Sequence, residues 1–245
     1  MSDSPLNLPT PGTNRFAAII PVAPRPDRVK AFLKHLYQID NISRLDVYLG
    51  VDRCNQAFND IAEEFPAVSV IRSNHNSHLH TLNSCARQLS TEYDYLFYFN
   101  DDMFPEQATI PKSLMRITEL EVKFPDKAFA FYFKDGHQNE NLSTTFCVSK
   151  NYIKLLGGKL SNDEYFHGYF ADQEFFLVGK KLKRLFYCEE ISVRHDHFEL
   201  KDEINFRNES SMWKLDNKIF WIRRLKGFGI SQLRYRLKNI EAIPY

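Results

Sequence analysis

Apolar residues follow two alternating rhythms along the chain. Arg15 to Val22 (RFAAIIPV), Leu45 to Val51 (LDVYLGV), Val68 to Ile71 and Tyr95 to Phe99 (YLFYF) are short apolar runs. Runs of that length bounded by turn residues predict buried strands, and YLFYF predicts a central strand covered on both faces. Between them the spacing becomes three and four. It does so at Val29, Phe32, Leu33, Leu36 and Tyr37, with Asp27 as N-cap, and again at Phe58, Ile61, Ala62 and Phe65. Leu79, Leu82, Ala86 and Leu89 repeat it, as do residues 110–122, and each set predicts a helix. Ala128 to Phe133 is a further strand. This alternation predicts an α/β fold with parallel strands. Beyond residue 140 the order loosens. Thr145 to Ser149 reads as a strand, and Lys150 to Leu156 as a short helix stopped by Gly157 and Gly158. Tyr169 to Leu182 reads as a helix and Leu185 to Val193 as a strand. Two helices follow from Asn208, joined near Gly227 and Gly229.

Composition narrows the function classes. The 245 residues suffice for a large core without staples. Lys plus Arg is 32 against 31 Asp plus Glu, which argues against a protein that grips nucleic acid along its surface. No run approaches the roughly 18 apolar residues that span a bilayer. Met1 to Gly12 lacks the basic start and apolar centre of a signal peptide, so the expected compartment is the cytoplasm. Residues 1–13 read as a flexible tail. Cys54, Cys85, Cys147 and Cys188 are far apart and read as reduced thiols. Neither common glycine-rich phosphate cradle is present, so a nucleotide would have to bind by another route.

Candidate chemistry gathers where strands end, which is where open α/β sheets bind ligands. The central strand is followed by Asn100-Asp101-Asp102. Two aspartates beside a buried strand need neutralising, and a hard divalent cation suits their oxygens, although Asn and Asp also favour simple turns. Arg194-His195-Asp196-His197 ends the last strand, and alternate residues there share a face. His75, His78 and His80 read as ordinary loop and first-turn residues. Within His167 to Glu174, Asp172 lies in an aromatic stretch at a helix start. Desolvation there would suit a general base, and a helix cap is the simpler reading of spacing alone.

Five segments in this order resemble an inverting GT-A glycosyltransferase of the family 2 type: FAAIIPVAPRPDRVKAFLKHL, LDVYLGVD, HTLNSCARQLSTEYDYLFYFNDDM, GYFADQEF and VRHDHF. TFCVSKNYIKLLGG resembles the acceptor-side segment. The resemblance covers about residues 15–197. It implies a GT-A, Rossmann-like fold: a mixed, mostly parallel sheet flanked by helices. It implies a catalytic domain over 14–197, with a donor half at about 14–103 and an acceptor half at about 104–197. It implies that Asp52 contacts the nucleobase in a pocket lined by Pro21, Val22 and Ala23. Asn83, Asn100 and Asp101 would lie near the diphosphate or donor sugar. Asp102 and His195 would hold Mn²⁺ or Mg²⁺, with Asp101 and His197 as the fallback ligands, and Asp172 would deprotonate the acceptor hydroxyl. Asn100 stands where the family's D-x-D motif often has Asp, and Ala171 replaces the acid that commonly precedes the base.

The implied function is transfer of a sugar from a nucleotide-sugar donor to a hydroxyl acceptor such as a glycan, with inversion. The alternative is a non-catalytic glycan- or nucleotide-binding module on the same fold, since fold alone cannot separate the two. Residues 198–245 are expected to form a helical extension packed on the domain. Its basic residues and aromatics also leave open a membrane-surface contact or a seat for an anionic acceptor.

Overall fold

Strand β1 (Phe16–Pro21) is buried along its whole length. Phe16, Ala18 and Ile20 enter the core on one side, while Ala17 and Ile19 enter the core on the other. This two-sided burial is what an unbroken apolar run requires. The structure is a computed structural model, and it describes residues 14–22, 25–52, 58, 60–75, 77–166, 168–196 and 211–243. The expected tail, 1–13, lies outside the described residues.

The other strands are β2 (Asp46–Val51), β3 (Val68–Arg72), β4 (Tyr95–Tyr98), β5 (Met103–Pro105), β6 (Ala130–Lys134), β7 (Phe146–Ser149) and β8 (Leu185–His195). They form an eight-stranded sheet in the order β3-β2-β1-β4-β7-β6-β8-β5. β1 pairs parallel with β2 and β4, and β2 with β3. The expected parallel continuation stops at β4. β6 does not pair with β4, because β7 lies between them, antiparallel to both. The turn after β6 reverses the chain and inserts the fully buried FCVS of β7. β8 then runs parallel to β6 until a shift in register near Lys134, beyond which its end pairs with β5. β5 is three residues long and has no apolar rhythm by which the sequence could reveal it.

Helix α1 (Pro26–Leu36) buries Val29, Phe32, Leu33 and Leu36 on one face. It starts one residue before the expected cap. Pro26 occupies the first turn with a suitable φ, and Asp27 follows it there, complementing the helix dipole. α2 (Ile61–Glu64) is shorter than its apolar spacing predicts. α3 (His78–Leu89), α4 (Thr109–Lys123) and α5 (Lys150–Leu155) match their expected positions within two residues. α6 (Ala171–Leu182) begins two residues later than expected, because Gly168 and Phe170 adopt positive φ of 101° and 76°. α7 (Ser211–Leu225) and α8 (Ile230–Lys238) flank a turn in which Gly227 and Gly229 have φ near +70°. Phe220, Phe228 and Ile240 anchor this C-terminal segment in the core beside α5 and α6. No helix among the described residues is long and apolar enough to cross a membrane.

Candidate functional site

A cleft of about 550 Å³ opens at the sheet edge where β4 ends and β8 reaches β5. Its lining includes Asn100, Asp102, Asp172 and His195. Topology brings these four together. The Asn100-Asp101-Asp102 turn closes with the Met103 N–H donating to the Asn100 carbonyl. The chain then enters β5, whose Met103 pairs with His195. That pairing sets His195 Nε2 3.8 Å from Asp102 Oδ2. The strand expected to end at Val193 extends to His195, which is why the histidine is fixed by backbone pairing.

His195 lies between two carboxylates. Its Nδ1 is 3.7 Å from Asp135 Oδ2, and the imidazole is almost wholly buried. Burial alone would lower its pKa. Asp102 and Asp135 more than offset this and push it up to about 9. Asp135 is itself held firmly. Its Oδ1 accepts the N–H groups of His137, Gln138 and Asn139 at 2.8–2.9 Å, and its Oδ2 accepts the Thr144 hydroxyl at 2.8 Å. Burial would raise its pKa, but these donors and His195 hold it well below the usual carboxylate range. Sequence reasoning missed Asp135. It too is an acid just beyond a buried strand, before a glycine turn, so the rule that singled out Asp101 and Asp102 would have found it.

Arg28 was missed as well. From α1 its Nη2 lies 3.4 Å from Asp102 Oδ2, and its Nε lies 3.9 Å from Asp101 Oδ1. It also donates to the carbonyls of Asp101 and Asp196. The aspartate pair therefore has a cation from the protein, where the sequence argument supplied only a metal. Asp101 is buried, which raises its pKa, and Arg28 moderates that rise. It does not line the cleft.

Asp172 stands in the first turn of α6, with its Oδ1 accepting the Gln173 N–H. The aromatic stretch was expected to bury it, but the structure leaves it exposed on the cleft wall. Tyr98 lies between the two parts of the site. Its hydroxyl donates to Asn100 Oδ1 at 2.6 Å and lies 3.4 Å from His78 Nε2. His78, read from sequence as an ordinary first-turn residue, thus also lines the cleft. Ser143 contributes a buried hydroxyl with no hydrogen-bond partner among the described residues.

Other expected residues fall elsewhere. Asn83 is fully buried and cannot approach a diphosphate. Its Nδ2 donates to the Ser161 carbonyl and to Asp163, and its Oδ1 accepts the N–H groups of Leu160 and Ser161. Its whole hydrogen-bonding capacity holds the 160–163 loop, which forms part of the cleft wall. Pro21 and Val22 are buried, Val22 packs in the core, and neither lines the cleft described above. Asp52 is half-buried at the end of β2, outside the cleft lining. Ala23, His167 and His197 lie outside the described residues.

Helix α7 of the C-terminal segment belongs to the site. Trp213 of α7 lines the cleft and packs on Phe170 at 5.5 Å. Asp216 is fully buried and accepts the N–H groups of Phe166, Gly168 and Tyr169. Arg223 pairs with both oxygens of Glu174, one of which also accepts the Tyr165 hydroxyl. The expected extension packs on the domain through Phe220 and Phe228, and Asp216 of α7 also sets the loop that leads into Asp172.

Among the described residues no three His, Cys, Asp or Glu side chains converge as a metal cluster. The Asp102–His195 pair offers one hard oxygen and one imidazole nitrogen. That donor set fits a Mn²⁺ or Mg²⁺ ion whose other positions are filled by a ligand or water.

No protein-family model matches the chain, and no curated protein matches its sequence. Solved structures do match its fold. S. aureus TarS 1–349 aligns with a TM-score of 0.54 at 14% identity, over 75% of this chain and 58% of that one. The chain thus spans less than two thirds of that relative. A mannosyltransferase from Pyrobaculum calidifontis, in complex with GDP-Man and Mn²⁺, aligns at 0.57 with 10% identity, over 95% and 76%. Glucosyl-3-phosphoglycerate synthase from Mycobacterium tuberculosis, in complex with Mn²⁺, UDP-Glc and phosphoglyceric acid, aligns at 0.58 with 9% identity, over 86% and 80%. At these identities the likeness is one of architecture: the chain has the GT-A fold of these glycosyltransferases.

Proposed function

We propose that this chain is a metal-dependent glycosyltransferase that moves a sugar from a nucleoside-diphosphate donor to a hydroxyl acceptor, such as a glycan, with inversion. The observation that carries the proposal is the convergence of Asn100, Asp102, His195 and Asp172 on one cleft of a GT-A fold. Similar folds hold GDP-Man or UDP-Glc together with Mn²⁺, which supports the same ligand class here.

The resemblance supplies the roles, and the residues' positions support them. Asp52 contacts the nucleobase. β1 separates β2 from β4, so Asp52 is two strand spacings, about 10 Å, from the Asn100 turn. A nucleoside diphosphate reaches that far. Asp102 and His195 would hold Mn²⁺ or Mg²⁺, Asn100 would supply a neutral oxygen to the donor, and Arg28 would add positive charge. The ion, when bound, offsets the charge that grows on the leaving diphosphate. Asp135 orients the His195 ring, as carboxylates commonly do for ligand histidines.

Asp172 faces the acceptor. A sugar hydroxyl is a poor nucleophile, so a carboxylate that takes its proton accelerates attack. The acceptor oxygen bonds to the anomeric carbon as the carbon–oxygen bond to the diphosphate breaks. The proton goes to Asp172 and the electron pair leaves with the nucleoside diphosphate. A single displacement inverts the centre. The donor half, 14–103, supplies Asp52, Asn100 and Asp102, and the acceptor half, 104–197, supplies Asp172 and His195.

Calorimetry with UDP, GDP, CDP and dTDP, each with and without Mn²⁺, tests this reading. Metal-dependent binding of one of them is the expected result and names the nucleobase. A folded chain that binds none of the four overturns it.

A further inference from the structure

Helix α7 has two working faces. Asp216, Phe220 and Arg223 recur at helical spacing on the inner face and engage the protein. The opposite face carries large apolar side chains in contact with solvent. Leu215 is 45% exposed, Trp221 50%, Ile222 42% and Leu225 86%. Exposed basic residues alternate with them: Lys214, Lys218, Arg224 and, just past the helix, Lys226. Positions 214, 218, 221 and 225 fall at i, i+4, i+7 and i+11, which makes one stripe, and Leu215 and Ile222 form the row beside it. The Arg224 guanidinium sits over the Trp221 ring at 4.8 Å.

Charge is segregated here. The whole chain is balanced at +1, yet residues 211–243 hold eight Lys and Arg against two Asp and Glu. One of those two acids, Asp216, is buried and engaged on the inner face. The outward face of α7, with Lys214, Lys218 and Arg224 exposed, therefore presents positive charge set with aliphatic and indole groups.

We infer that the outward face of α7 docks on an anionic lipid surface. Both halves of the pattern are needed for that occupant. Lysine and arginine heads meet lipid phosphates, while leucine, isoleucine and tryptophan enter the headgroup–acyl boundary. A second copy of the chain would bring the same positive charge against this one. A nucleic acid would satisfy the charge but leave the aliphatic side chains in water. The helix is about 22 Å long and lies in the interface plane. Trp213, on the same helix, lines the cleft, so docking would hold the cleft beside the membrane. The inference is independent of the chemistry that occurs in the cleft.

Co-sedimentation of the full chain with vesicles tests it. One set contains phosphatidylglycerol and phosphatidylcholine in equal parts, and the other contains phosphatidylcholine alone. Binding is expected with the first set only, with a blue shift of tryptophan emission that Trp221→Phe abolishes. High salt is expected to weaken binding, because the screening length falls to about 3 Å at 1 M. The combined variant Lys214→Glu, Lys218→Glu, Arg224→Glu is expected to partition at least about a hundred-fold less, at about five-fold per basic charge lost. Leu225→Ser is expected to bind more weakly at unchanged salt dependence. Circular dichroism confirms that each variant is folded, since all these positions are exposed. Absence of binding to the anionic vesicles overturns the inference. So does equal binding to both sets, or a folded charge variant that binds like the parent.

Discussion

Asp216 of α7 accepts the backbone N–H of Gly168 at 2.9 Å, across 48 residues of sequence. The same carboxylate takes the N–H groups of Phe166 and Tyr169. A loop with positive φ at Gly168 and Phe170 thus enters α6 with its donors satisfied by a side chain from the C-terminal helix. Charge-assisted hydrogen bonds contribute about 1.5–3 kcal/mol each, less what water recovers. Asp216→Ala is therefore expected to destabilise the chain by about 3 kcal/mol, and Asp216→Asn, which keeps one acceptor oxygen, by about half of that. Urea unfolding measures both. A loss below about 0.5 kcal/mol in Asp216→Ala would show that the loop holds without it.

Burial predicts how the thiols behave. It pushes Cys85 and Cys188 up to about 12, and Cys147 well above its ordinary value. The thiolate is the reactive form, so at pH 8 only about one Cys85 in ten thousand is reactive. Iodoacetamide is expected to leave these three residues unmodified in the native chain and to modify all of them in urea. Peptide mass spectrometry reads the sites. Native labelling of Cys85 at its rate in urea would contradict its buried position between α3 and the sheet.

The fold was legible where one strand or one helix carries its own pattern. FAAIIP and YLFY sit where their runs placed them, because two-sided burial forces unbroken apolar sequence, and DVYLGV does so with only its second half fully buried. Pairing between distant segments left no such trace. β5 exists because Met103 meets His195, and the placement of β7 between β4 and β6 depends on partners rather than on FCVS itself. The site shows the same division. Asn100, Asp102 and His195 were legible as polar residues at the ends of apolar runs, Asp172 only through the resemblance of its segment, and one cleft contains all four. Arg28 and Asp216 read as ordinary charges on amphipathic helices, and only their partners distinguish them. Asn83 failed for the converse reason: its residue type suits a ligand, but burial commits it to the 160–163 loop.

Asp135 provides a test of the proposed metal site that needs no turnover. It lies 3.7 Å from His195 Nδ1 while Nε2 faces Asp102. Removal of its charge leaves the imidazole free to turn and makes it a weaker ligand. Outer-shell partners of this kind typically contribute 10- to 100-fold in metal affinity, so Asp135→Asn is expected to weaken Mn²⁺ binding by about 10- to 100-fold in the presence of the cognate nucleotide. Asp102→Ala, which removes a proposed ligand, is expected to weaken it further. Electron paramagnetic resonance of free Mn²⁺ measures both variants. Parent-like affinity in Asp102→Ala would remove that residue from the site.

Asp172→Asn separates binding from transfer. The side chain is exposed on the cleft wall, and asparagine retains an oxygen that can accept the Gln173 N–H. Structure and donor affinity are therefore expected to persist. The amide cannot accept the acceptor's proton at neutral pH, so the attacking oxygen would carry that proton into the transition state. General bases typically contribute about 10²- to 10⁴-fold, and kcat is expected to fall by that factor while the nucleotide Kd stays within about two-fold. The nucleobase identified by calorimetry sets the donor for the assay, and released nucleoside diphosphate reports each turnover. A variant that transfers at the parent rate would free Asp172 from the role of base. One that loses donor binding along with transfer would move Asp172 to the donor side of the cleft, where its carboxylate would contact the sugar that is transferred.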